Sequence, residues 1–533
     1  MSGAAIENAA VEVDGELPEG WTHATLGGVA DVQLGKMLDK AKRIRGQRLP
    51  YLRNANVRWG RFDLGDLEEM PFEDHELERY GLKNGDLLAC EGGEPGRCAI
   101  WDGGPTDIKY QKALLRVRPS SGVVAKWIMF QLRHDALGGR LETYFTGSTI
   151  KHFPREAALR YRLVLAPLPE QRHIVAKVEA LLAQVNASRE RLAKVPALLK
   201  RFRQSVLAAA CSGRLTEEWR AAHGSQREAA SDLAAFREAR RLRHEAAAKT
   251  GKRRIARPTF LEEIEHDQEV LPELEEIPAG WTLVAVGNAC ERLQYGTSDK
   301  ADDEARGGVP VLRMGNIQDG RLDLGDLKFM RETHELRCFR LCHGDVIFNR
   351  TNSPELVGKA ALVDVEQPLL FASYLVRVQT AAEILDPAYL TYWINSALGR
   401  VWARRIRTDG VSQSNINATK LAEMPLPLPP LGEQREIVRR VATLFRLADT
   451  IEARVAAGTA RADKLTQAVL ARAFRGELVP TEAALARREG RTPQPAIAQS
   501  KPEPTTARRT ERSTKVRARG ARRHLSRSSG ISS

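Results

Sequence analysis

The chain has 533 residues, of which 42% are hydrophobic and 28% are charged, and its formal net charge is +14. That length is too great for one core, so two to four domains are expected. The charge does not by itself indicate nucleic-acid binding, because residues 501–533 hold ten Lys or Arg against two Glu and so carry +8 of it. We find no signal sequence and no apolar run of membrane length, which favours a cytoplasmic protein.

Residues 1–16 are small, acidic and aperiodic, and we expect a flexible leader there. A first unit then begins with LPEGWT at Leu17, and the motif returns 260 residues later as IPAGWT at Ile277. Further matches follow in the same order: LPYLRNAN (49–56) with VPVLRMGN (309–316), and NGDLLAC (84–90) with HGDVIFN (343–349). The chain therefore contains an internal duplication of about 260 residues.

Each copy opens with a domain of mixed character, which we call head one (17–166) and head two (277–428). Short apolar runs bounded by Gly, Asn and Asp, such as those ending NGDLLAC and HGDVIFN, predict strands. Helical spacing around residues 127–137 and 389–398 predicts helices, so each head is expected to be α+β. The heads differ at EGGEPGRCAI (91–100) against RTNSPELVGKAAL (350–362). A shared scaffold with a divergent loop indicates two similar domains that recognise different ligands.

Each head is followed by a long amphipathic helix, predicted over 167–215 and again over 429–480. The apolar positions follow a 3.5-residue seam: Ile174, Val178, Leu181, Val185, Leu192, Val195, Leu199, Phe202 and Val206 in the first copy, and Ile437, Val441, Leu444, Ile451, Val455, Leu465 and Val469 in the second. Each apolar seam has to be buried against another helix, and the simplest partner is the seam of the other copy. We therefore predict two α+β heads separated by two long helices packed as an antiparallel coiled coil.

Three other segments carry local predictions. Pro196 lies within the first seam and predicts a helix break near residues 194–196. The charged connector 216–276 contains a helical stretch, 231–248, whose apolar content is too low for a core position. The segment 481–533 is rich in Ser, Thr, Pro and Arg and is expected to form a disordered basic tail.

Two heads spaced by helices of ~40 residues form a ruler of ~60 Å, which exceeds the ~34 Å of one DNA turn. Such a chain can read two half-sites of one duplex, and because its heads differ, the target need not be palindromic.

The doubled order of PxGW opening, head and EQR helix (EQR at 170–172 and 433–435), with the PLPP run at 427–430, resembles the specificity (S) subunit of Type I restriction–modification systems. The resemblance covers about residues 17–480, apart from the connector. It implies that the heads are target-recognition domains, each reading half of a bipartite DNA sequence. It also implies that the helices set the spacing and help dock two methyltransferase (M) subunits, and that restriction (R) subunits join them.

Catalytic motifs are absent, which agrees with that resemblance. There is no phosphate-binding GxxxxGK[ST] loop and no Gly-rich loop for S-adenosylmethionine, and Asp386-Pro387-Ala388-Tyr389 reads better as a helix start than as a methyltransferase motif. We expect no catalysis and no cofactor in this chain, with S-adenosylmethionine, ATP and Mg²⁺ held by partner subunits. Cys338 and Cys342 lack a second ligand pair, so no metal site is predicted.

DNA contact is then expected from polar loops, because phosphates are held by Lys, Arg, Ser and Thr while Arg, Asn and Gln read base edges. The candidates in head one are Lys40, Arg53, Asn54, Asn56, Arg97, Gln111, Lys112, Ser148, Thr149 and Lys151. Those in head two are Lys300, Arg313, Asn316, Arg350, Thr351, Asn352, Ser353, Lys359, Ser412, Gln413, Ser414 and Asn415. The alternative is that the Asn and Ser side chains among these candidates have a structural role, in which they stabilise turns and do not contact DNA. Arg116, Arg377, Trp21 and Trp281 recur in both copies and are predicted to be scaffold.

Two other functions stay open at this point. One is a self-contained modification enzyme or nuclease whose motifs have diverged, against which the missing cofactor loop argues. The other is a coiled-coil adaptor that binds nucleic acid nonspecifically through its basic tail; removal of the tail would separate it from a specificity subunit.

Overall fold

The structure is a computed structural model, and it describes residues 16–37, 46–104, 107–223, 228–249, 277–301 and 308–496. The chain divides into two compact units: unit 1 comprises Met1–Val185 and Asp463–Ser533, and unit 2 comprises Asn186–Ala462. Each unit therefore contains one head, the first part of the long helix that follows that head, and the last part of the other long helix. Lys40 and most of the basic tail lie outside the described residues.

Head one and its helix are formed in the following chain order. The elements are β1 (Thr22–Thr25), α1 (Leu26–Val29), β2 (Ala30–Leu34), β3 (Gln47–Leu52), β4 (Val57–Arg58), β5 (Arg61–Phe62), β6 (Glu68–Phe72), α2 (Asp74–Arg79), β7 (Leu87–Cys90), β8 (Cys98–Ile100), β9 (Lys109–Tyr110), β10 (Leu114–Pro119), α3 (Ala125–Leu137), α4 (Arg155–Arg160), β11 (Arg162–Leu165) and α5 (Leu168–Cys211).

The connector and head two follow the same plan with additions. The elements are α6 (Glu217–His223), α7 (Ala229–Lys249), β12 (Thr282–Ala285), β13 (Cys290–Tyr295), β14 (Val309–Leu312), β15 (Ile317–Gln318), β16 (Arg321–Leu322), β17 (Lys328–Met330), β18 (Val346–Asn349), β19 (Thr351–Asn352), β20 (Ala360–Leu362), β21 (Leu370–Phe371), β22 (Leu375–Thr380), α8 (Pro387–Asn395), α9 (Ala397–Ile406), β23 (Thr408–Asp409), β24 (Ser414–Asn415), α10 (Ala418–Ala422), β25 (Pro425–Leu428), α11 (Leu431–Phe474) and α12 (Glu482–Glu489).

The two heads share their sheet topology. Head one has a four-stranded sheet in the order β2-β10-β7-β8, and head two has its counterpart in the order β13-β22-β18-β20. Each head also has a three-stranded sheet (β6-β3-β9 and β17-β14-β21) and two two-stranded pairs (β1-β11 and β4-β5; β12-β25 and β15-β16), and head two adds the three-stranded sheet β19-β24-β23. The predicted mixed α+β class is confirmed, and the duplication extends to strand order.

The central strands are buried on both faces, which explains their unbroken apolar runs. In β7, Leu87 and Ala89 belong to one core cluster while Leu88 and Cys90 belong to another. Because successive side chains of a strand point to opposite faces, a strand between two cores must be apolar at every position. The strands predicted at 84–90 and 343–349 are confirmed as β7 and β18.

Within each unit, the start of one long helix packs against the end of the other. In unit 1, Ile174 and Val178 of α5 share a core cluster with Leu470 and Ala473 of α11. In unit 2, the end of α5 joins the start of α11 in the same way, through side chains that include Val206 and Ile437. The two helices are therefore antiparallel.

Two details of the helix prediction are wrong. Helix α5 is continuous through Pro196, which is exposed, and Leu192 on the preceding turn lies against Gly458 of α11. Packing of the flanking turns stabilises the helix on both sides of the proline, since Leu199 on the following turn is buried. Leu465 is 48% exposed, whereas Thr466 is buried between Ala462 and Leu470. The end of α11 thus buries every fourth residue and departs from the 3.5-residue repeat used for the prediction.

The connector helix α7 also differs from expectation. The helix itself is confirmed, but it packs on head two: Leu233 and Phe236 are buried in the main core cluster of unit 2. Ala229, Leu233, Phe236 and Arg240 lie at helical spacing on its buried face, and the guanidinium of Arg240 stacks 5.9 Å from the Phe236 ring. These four residues form a buried stripe along α7. The low apolar content of the helix as a whole therefore did not exclude packing on the core.

The predicted disordered tail begins too early, because residues 481–496 are ordered. Thr481 caps α12 by accepting a hydrogen bond from Ala484 N at 3.2 Å, and Ala483 and Ala486 are buried. The Thr481–Glu482 start of α12 after α11 corresponds to Thr216–Glu217 at the start of α6 after α5. This helix belongs to the duplicated unit.

The PxGW and EQR motifs meet at a structural joint in each unit. In joint one, Glu170 at the start of α5 accepts hydrogen bonds from Trp21 Nε1 (3.0 Å) and from Glu482 N (2.9 Å). Gly476, just past α11, has φ +72, and a Cβ there would lie 2.7 Å from Pro18 Cγ. Head one is thus closed by the segment that follows the other helix.

Joint two repeats this arrangement in unit 2. Glu433 accepts hydrogen bonds from Trp281 Nε1 (2.8 Å) and Thr216 Oγ1 (2.7 Å), and it forms an ion pair with Arg220. Gly213, with φ +75, follows α5, and a Cβ there would overlap Pro278 Cγ. The motifs that carried the resemblance are therefore architectural, and the prediction that Trp21 and Trp281 are scaffold is confirmed.

Candidate nucleic-acid interface

A turn shared by both heads removes two candidates from the interface. In head one, Asn56 is buried, its Oδ1 accepts from Arg53 N at 2.9 Å, and its Nδ2 donates to the carbonyls of Asp63 (3.0 Å) and Asp66 (2.8 Å). In head two, Asn316 is buried and makes the equivalent three bonds. Both ends of each amide are used to hold the turn, which makes Asn56 and Asn316 poor candidates for reading bases.

The arginines of that turn are also engaged. Arg53 forms ion pairs with Asp66 (2.7 Å) and Glu68, and Arg313 pairs with Asp326 at 3.1 Å. Further along head one, Arg97 pairs with Glu94 at 2.7 Å and donates to Asn54 O at 2.9 Å. These side chains hold the loops of the head together, so they are weaker candidates for base contact than the sequence indicated.

Arg116 and Arg377 occupy equivalent positions in β10 and β22, and both are buried. Arg116 donates to Asp31 (2.9 Å) and Gln33 (2.7 Å) of the neighbouring strand. Arg377 donates to Arg340 O at 2.8 Å and to the side chain of Gln294. Their predicted scaffold role is confirmed.

Head two presents an exposed hairpin that contains four of its predicted DNA-contact residues, Ser412 to Asn415. Strands β23 and β24 pair, and Gly410 N donates to Gln413 O at 2.8 Å, which leaves Val411, Ser412 and Gln413 exposed at the tip. Strand β24 also pairs with β19, and Asn415 Nδ2 donates to Thr351 Oγ1 at 2.8 Å. Two groups of head-two candidates, Arg350 to Ser353 and Ser412 to Asn415, thus lie side by side on one surface.

Not every residue of this hairpin is available. Ser414 is fully buried and its hydroxyl donates to Asp409, which makes it a poor candidate for DNA contact. Arg407 pairs with Asp409 at 2.8 Å, and Lys420 Nζ donates to Ile406 O at 2.7 Å. These bonds fix the base of the hairpin and leave its tip, Val411 to Gln413, exposed.

Head one has an equivalent hairpin 263 residues earlier. Thr146 and His152 exchange two backbone hydrogen bonds of 2.9 Å, and His152 also forms a bridge with Gly92. Its exposed residues include Ser148, Thr149, Ile150 and Lys151 at the tip. Two heads of one topology therefore carry tips of different sequence, Ser148-Thr149-Ile150 against Val411-Ser412-Gln413.

The remaining candidates differ in how exposed they are. Lys112 and Lys300 are exposed, whereas Gln111, Arg350, Thr351, Asn352, Ser353 and Lys359 are half-buried. Burial lowers the pKa of Lys359; the charge of Asp319 opposes this, and the weaker effects of the Arg400 and Lys200 charges add to the lowering. Lys40 is not among the described residues.

The sequence reasoning missed a basic helix face next to the head-two hairpin. Helix α9 buries Trp402 and Ala403 and exposes Arg404 and Arg405. Burial and the charge of Arg404 lower the pKa of Arg400 to about 10. The signal was present in the run RVWARRIR (400–407), whose helical spacing separates apolar from basic positions.

The structure gives three further findings on the chemistry of the chain. Asp386 caps α8 by accepting from Ala388 N (2.8 Å) and Tyr389 N (3.3 Å), which confirms that this motif is a helix start. Across the described ranges, no group of three or more His, Cys, Asp or Glu side chains is placed to hold a metal ion. In that same part of the chain, none of the helices has the length and apolar character needed to cross a membrane.

Comparison with known proteins agrees with this architecture. Residues 278–457 match the family described as Type I restriction modification DNA specificity domain. The chain is 28% identical to the specificity subunit of the Type I restriction enzyme EcoKI of Escherichia coli (strain K12), across 87% of this chain and 90% of that protein. It is 30% identical to the EcoBI specificity subunit of Escherichia coli, over 62% and 61% of the two chains.

The chain is a homologue of Type I restriction–modification specificity subunits. The resemblance seen in the sequence is thereby confirmed, and the nonspecific adaptor finds no support. A solved structure titled for complex assembly and conformational transition of the type I R-M system has the same fold: its TM-score is 0.59 at 18% identity, covering 87% of this chain and all of the other. The Type I specificity domain matched in this chain covers head two and most of the part of α11 within unit 2.

Proposed function

We propose that this chain is the DNA-recognition component of a Type I restriction–modification complex, in which each head reads one half of a bipartite, asymmetric target. The observation that carries the proposal is the pair of exposed hairpins, which share a scaffold and differ in tip sequence, within a homologue of specificity subunits. A duplicated scaffold with unlike tips suits a target whose two halves are unlike.

Within each head, the tip is proposed to meet base edges and the basic surroundings to meet phosphates. Ser148 and Thr149 in head one, and Ser412 and Gln413 in head two, are exposed hydroxyl and amide groups suited to base edges. Lys151 and Arg404 are exposed cations close to the tips in sequence or structure, and cations supply most of the sequence-independent affinity for DNA.

The two long helices are proposed to set the distance between the half-sites and to help dock two methyltransferase subunits, with restriction subunits joining that core. Each helix has 44 residues and so a length of ~66 Å. One turn of DNA is ~34 Å, so helices of this length suit half-sites separated by unread base pairs. The chain itself would be non-catalytic and cytoplasmic, while S-adenosylmethionine, ATP and Mg²⁺ would be bound by the partner subunits.

The proposal is tested by sequencing the methylome of a strain that expresses this chain with its methyltransferase partner, and of the same strain without this chain. Methylation of one split, asymmetric motif should be present in the first strain and absent from the second. Identical methylomes, with the partner expressed in both, would contradict the proposal.

The adaptor alternative is tested with a chain that ends at residue 496, which removes the basic segment and keeps α12. A specificity subunit should retain its methylated motif, with weaker and less salt-sensitive nonspecific DNA binding. An adaptor would lose nearly all affinity for DNA.

A further inference from the structure

One position is structurally equivalent in the two heads and carries opposite charge. In head one it is Glu91, the residue that follows β7. Its N–H donates to Ala113 O at 2.8 Å, and its carbonyl accepts from Phe153 N at 2.7 Å, just after the exposed hairpin. The preceding residue, Cys90, donates to Arg97 O at 2.8 Å.

In head two the same three backbone bonds surround Arg350, which follows β18. Its N–H donates to Tyr374 O at 3.1 Å, its carbonyl accepts from Ile416 N at 2.8 Å, and the preceding Asn349 donates to Lys359 O at 2.8 Å. Each side chain therefore leaves the same strand end beside the root of the hairpin of its head. The scaffold is shared, so the change from glutamate to arginine is a change of chemistry at a fixed place.

Arg350 differs from the other candidate arginines in what it contacts. Arg53, Arg97 and Arg313 all form ion pairs with carboxylates. Arg350 has no carboxylate partner among the residues that the structure describes, and its Nη1 donates to Ser373 O at 3.2 Å. Its Nε is buried without a hydrogen bond there, as are those of the other three arginines, so the missing carboxylate is the difference. Its charge is left for a ligand.

The guanidinium of Arg350 is also oriented. It lies 4.7 Å from the centroid of the Tyr295 ring, and Tyr295 is itself held because its hydroxyl accepts from Ala418 N at 2.9 Å. A planar cation stacked on a fixed ring loses less conformational freedom when it binds, and the fork of its N–H groups matches two acceptors side by side.

Glu91 offers the complementary chemistry. Its side chain is half-buried, and it makes no side-chain hydrogen bond or ion pair within the described residues. Burial raises the pKa of Glu91, while the charges of His152 and Lys112 lower it and that of Glu156 raises it. A carboxylate in this place is an acceptor for an amino group.

We infer that this position is a base-reading position in both heads: Arg350 donates to O6 and N7 of a guanine, and Glu91 accepts from N4 of a cytosine. Arginine–guanine and carboxylate–cytosine are the pairings that major-groove geometry favours. The inference rests on the proposed function, since it assigns a residue in each head to the half-site that the head reads.

The test uses the full chain in complex with its methyltransferase subunits, and duplexes that carry the methylated motif with one base pair changed at a time. Arg350→Ala should weaken binding to the cognate duplex by roughly 10- to 100-fold and remove discrimination at one G·C pair of a single half-site. Glu91→Gln should relax discrimination at one C·G pair of the other half-site.

Arg350→Lys separates base reading from phosphate contact, because lysine keeps the charge and loses the fork. It should retain nonspecific affinity and the salt dependence of the wild type, yet lose selectivity at that G·C pair. If both Arg350 variants weaken all duplexes equally, or leave every position as selective as before, the inference is overturned. Thermal unfolding of each variant confirms that the head is folded.

Failure of the proposed function looks different. In that case the wild-type complex itself would show no preference for a bipartite duplex over a scrambled one. The inference alone fails if the wild type is selective and the guanine and cytosine positions do not depend on these two residues.

Discussion

Joint one and joint two close their heads with the same tryptophan, glutamate and glycine, yet they differ in what neutralises the buried carboxylate. Glu433 has the guanidinium of Arg220, whereas the direct partners of Glu170 are the uncharged N–H groups of Trp21 and Glu482. Joint two is completed by the connector after α5, and joint one by the chain after α11. The duplication therefore preserved geometry and left the electrostatics of the two joints unequal.

The largest effect should come from removing the segment that completes joint one. A chain that ends at Pro480 loses α12 with its buried Ala483 and Ala486, and it leaves Glu170 without the hydrogen bond from Glu482 N. We expect unit 1 to lose about 3–5 kcal/mol of stability. Calorimetry should show one transition at lower temperature, and the matched control that ends at residue 496 should melt like the intact chain.

The glycines of the joints come next. Gly213→Ala and Gly476→Ala place a side chain at positive φ against Pro278 and Pro18, so each should cost about 2–3 kcal/mol. Gly344→Ala is the control, because Gly344 has φ +90 with open space around it and should cost only about 1 kcal/mol. Equal losses in all three variants, measured by denaturant unfolding, would show that the joints are not tightly packed.

The charge difference between the joints predicts different responses to loss of the carboxylate. Glu433→Gln weakens the contact with Arg220 and should destabilise unit 2 by about 1–3 kcal/mol at neutral pH. Glu170→Gln removes a buried carboxylate that has no directly bonded cation. At neutral pH it should therefore leave the stability of unit 1 almost unchanged or raise it. Thermal scans of the two variants compare them directly, and a larger loss for Glu170→Gln would contradict the comparison.

The same difference has a pH signature. Burial raises the pKa of Glu170 more than the hydrogen bonds from Glu482 N and Trp21 lower it. A carboxyl whose folded pKa is raised contributes stability that is present below its unfolded pKa and is lost as the pH rises through the folded value. The wild type should therefore lose stability relative to Glu170→Gln as the pH rises from 4 through that window. If the difference in unfolding free energy between the wild type and Glu170→Gln does not change with pH, the effect is excluded.

The smallest expected effect lies outside the joints, at Asp449 of α11. Burial raises its pKa, but hydrogen bonds and charge from Arg321 and Arg203, each at 2.8 Å, outweigh this and lower it. A lowered pKa contributes stability above the unfolded value, and that contribution is lost as the pH falls through the folded value. Because the groups are partly exposed, Asp449→Asn should cost no more than about 1 kcal/mol at neutral pH, with no difference in acid.

The repeated motifs were enough to predict two α+β heads and two antiparallel helices, because similarity within one chain reports shared structure directly. They did not reveal that Trp21 bonds to Glu170, since the partners are 149 residues apart. Helix α12 was missed because 481–533 was treated as one segment rich in Ser, Thr, Pro and Arg, although it opens with a Thr-Glu helix start like that of α6. Leu465 was misplaced because a strict heptad was extended into a region where the helix buries every fourth residue.

The candidate interface was predicted less well than the fold. Asn56 and Asn316 were taken for base-reading groups, although their recurrence in both heads was the same signal that marked Arg116 and Arg377 as scaffold. The polar side chains that differ between the heads fared better, since Ser148, Thr149, Ser412 and Gln413 all lie on exposed tips. Sequence alone does not show which polar group is consumed inside a turn, because that depends on partners brought close by folding.

The measurement that tests the central claim most directly is the methylome of two hairpin variants, each co-expressed with the methyltransferase partner. One carries Ser412→Ala and Gln413→Ala in head two, and the other carries Ser148→Ala and Thr149→Ala in head one. Each variant should relax one half of the bipartite motif, a different half in each case, with the other half and the spacing unchanged. A change in both halves, or in neither, would contradict the account of two independent readers on one duplicated scaffold.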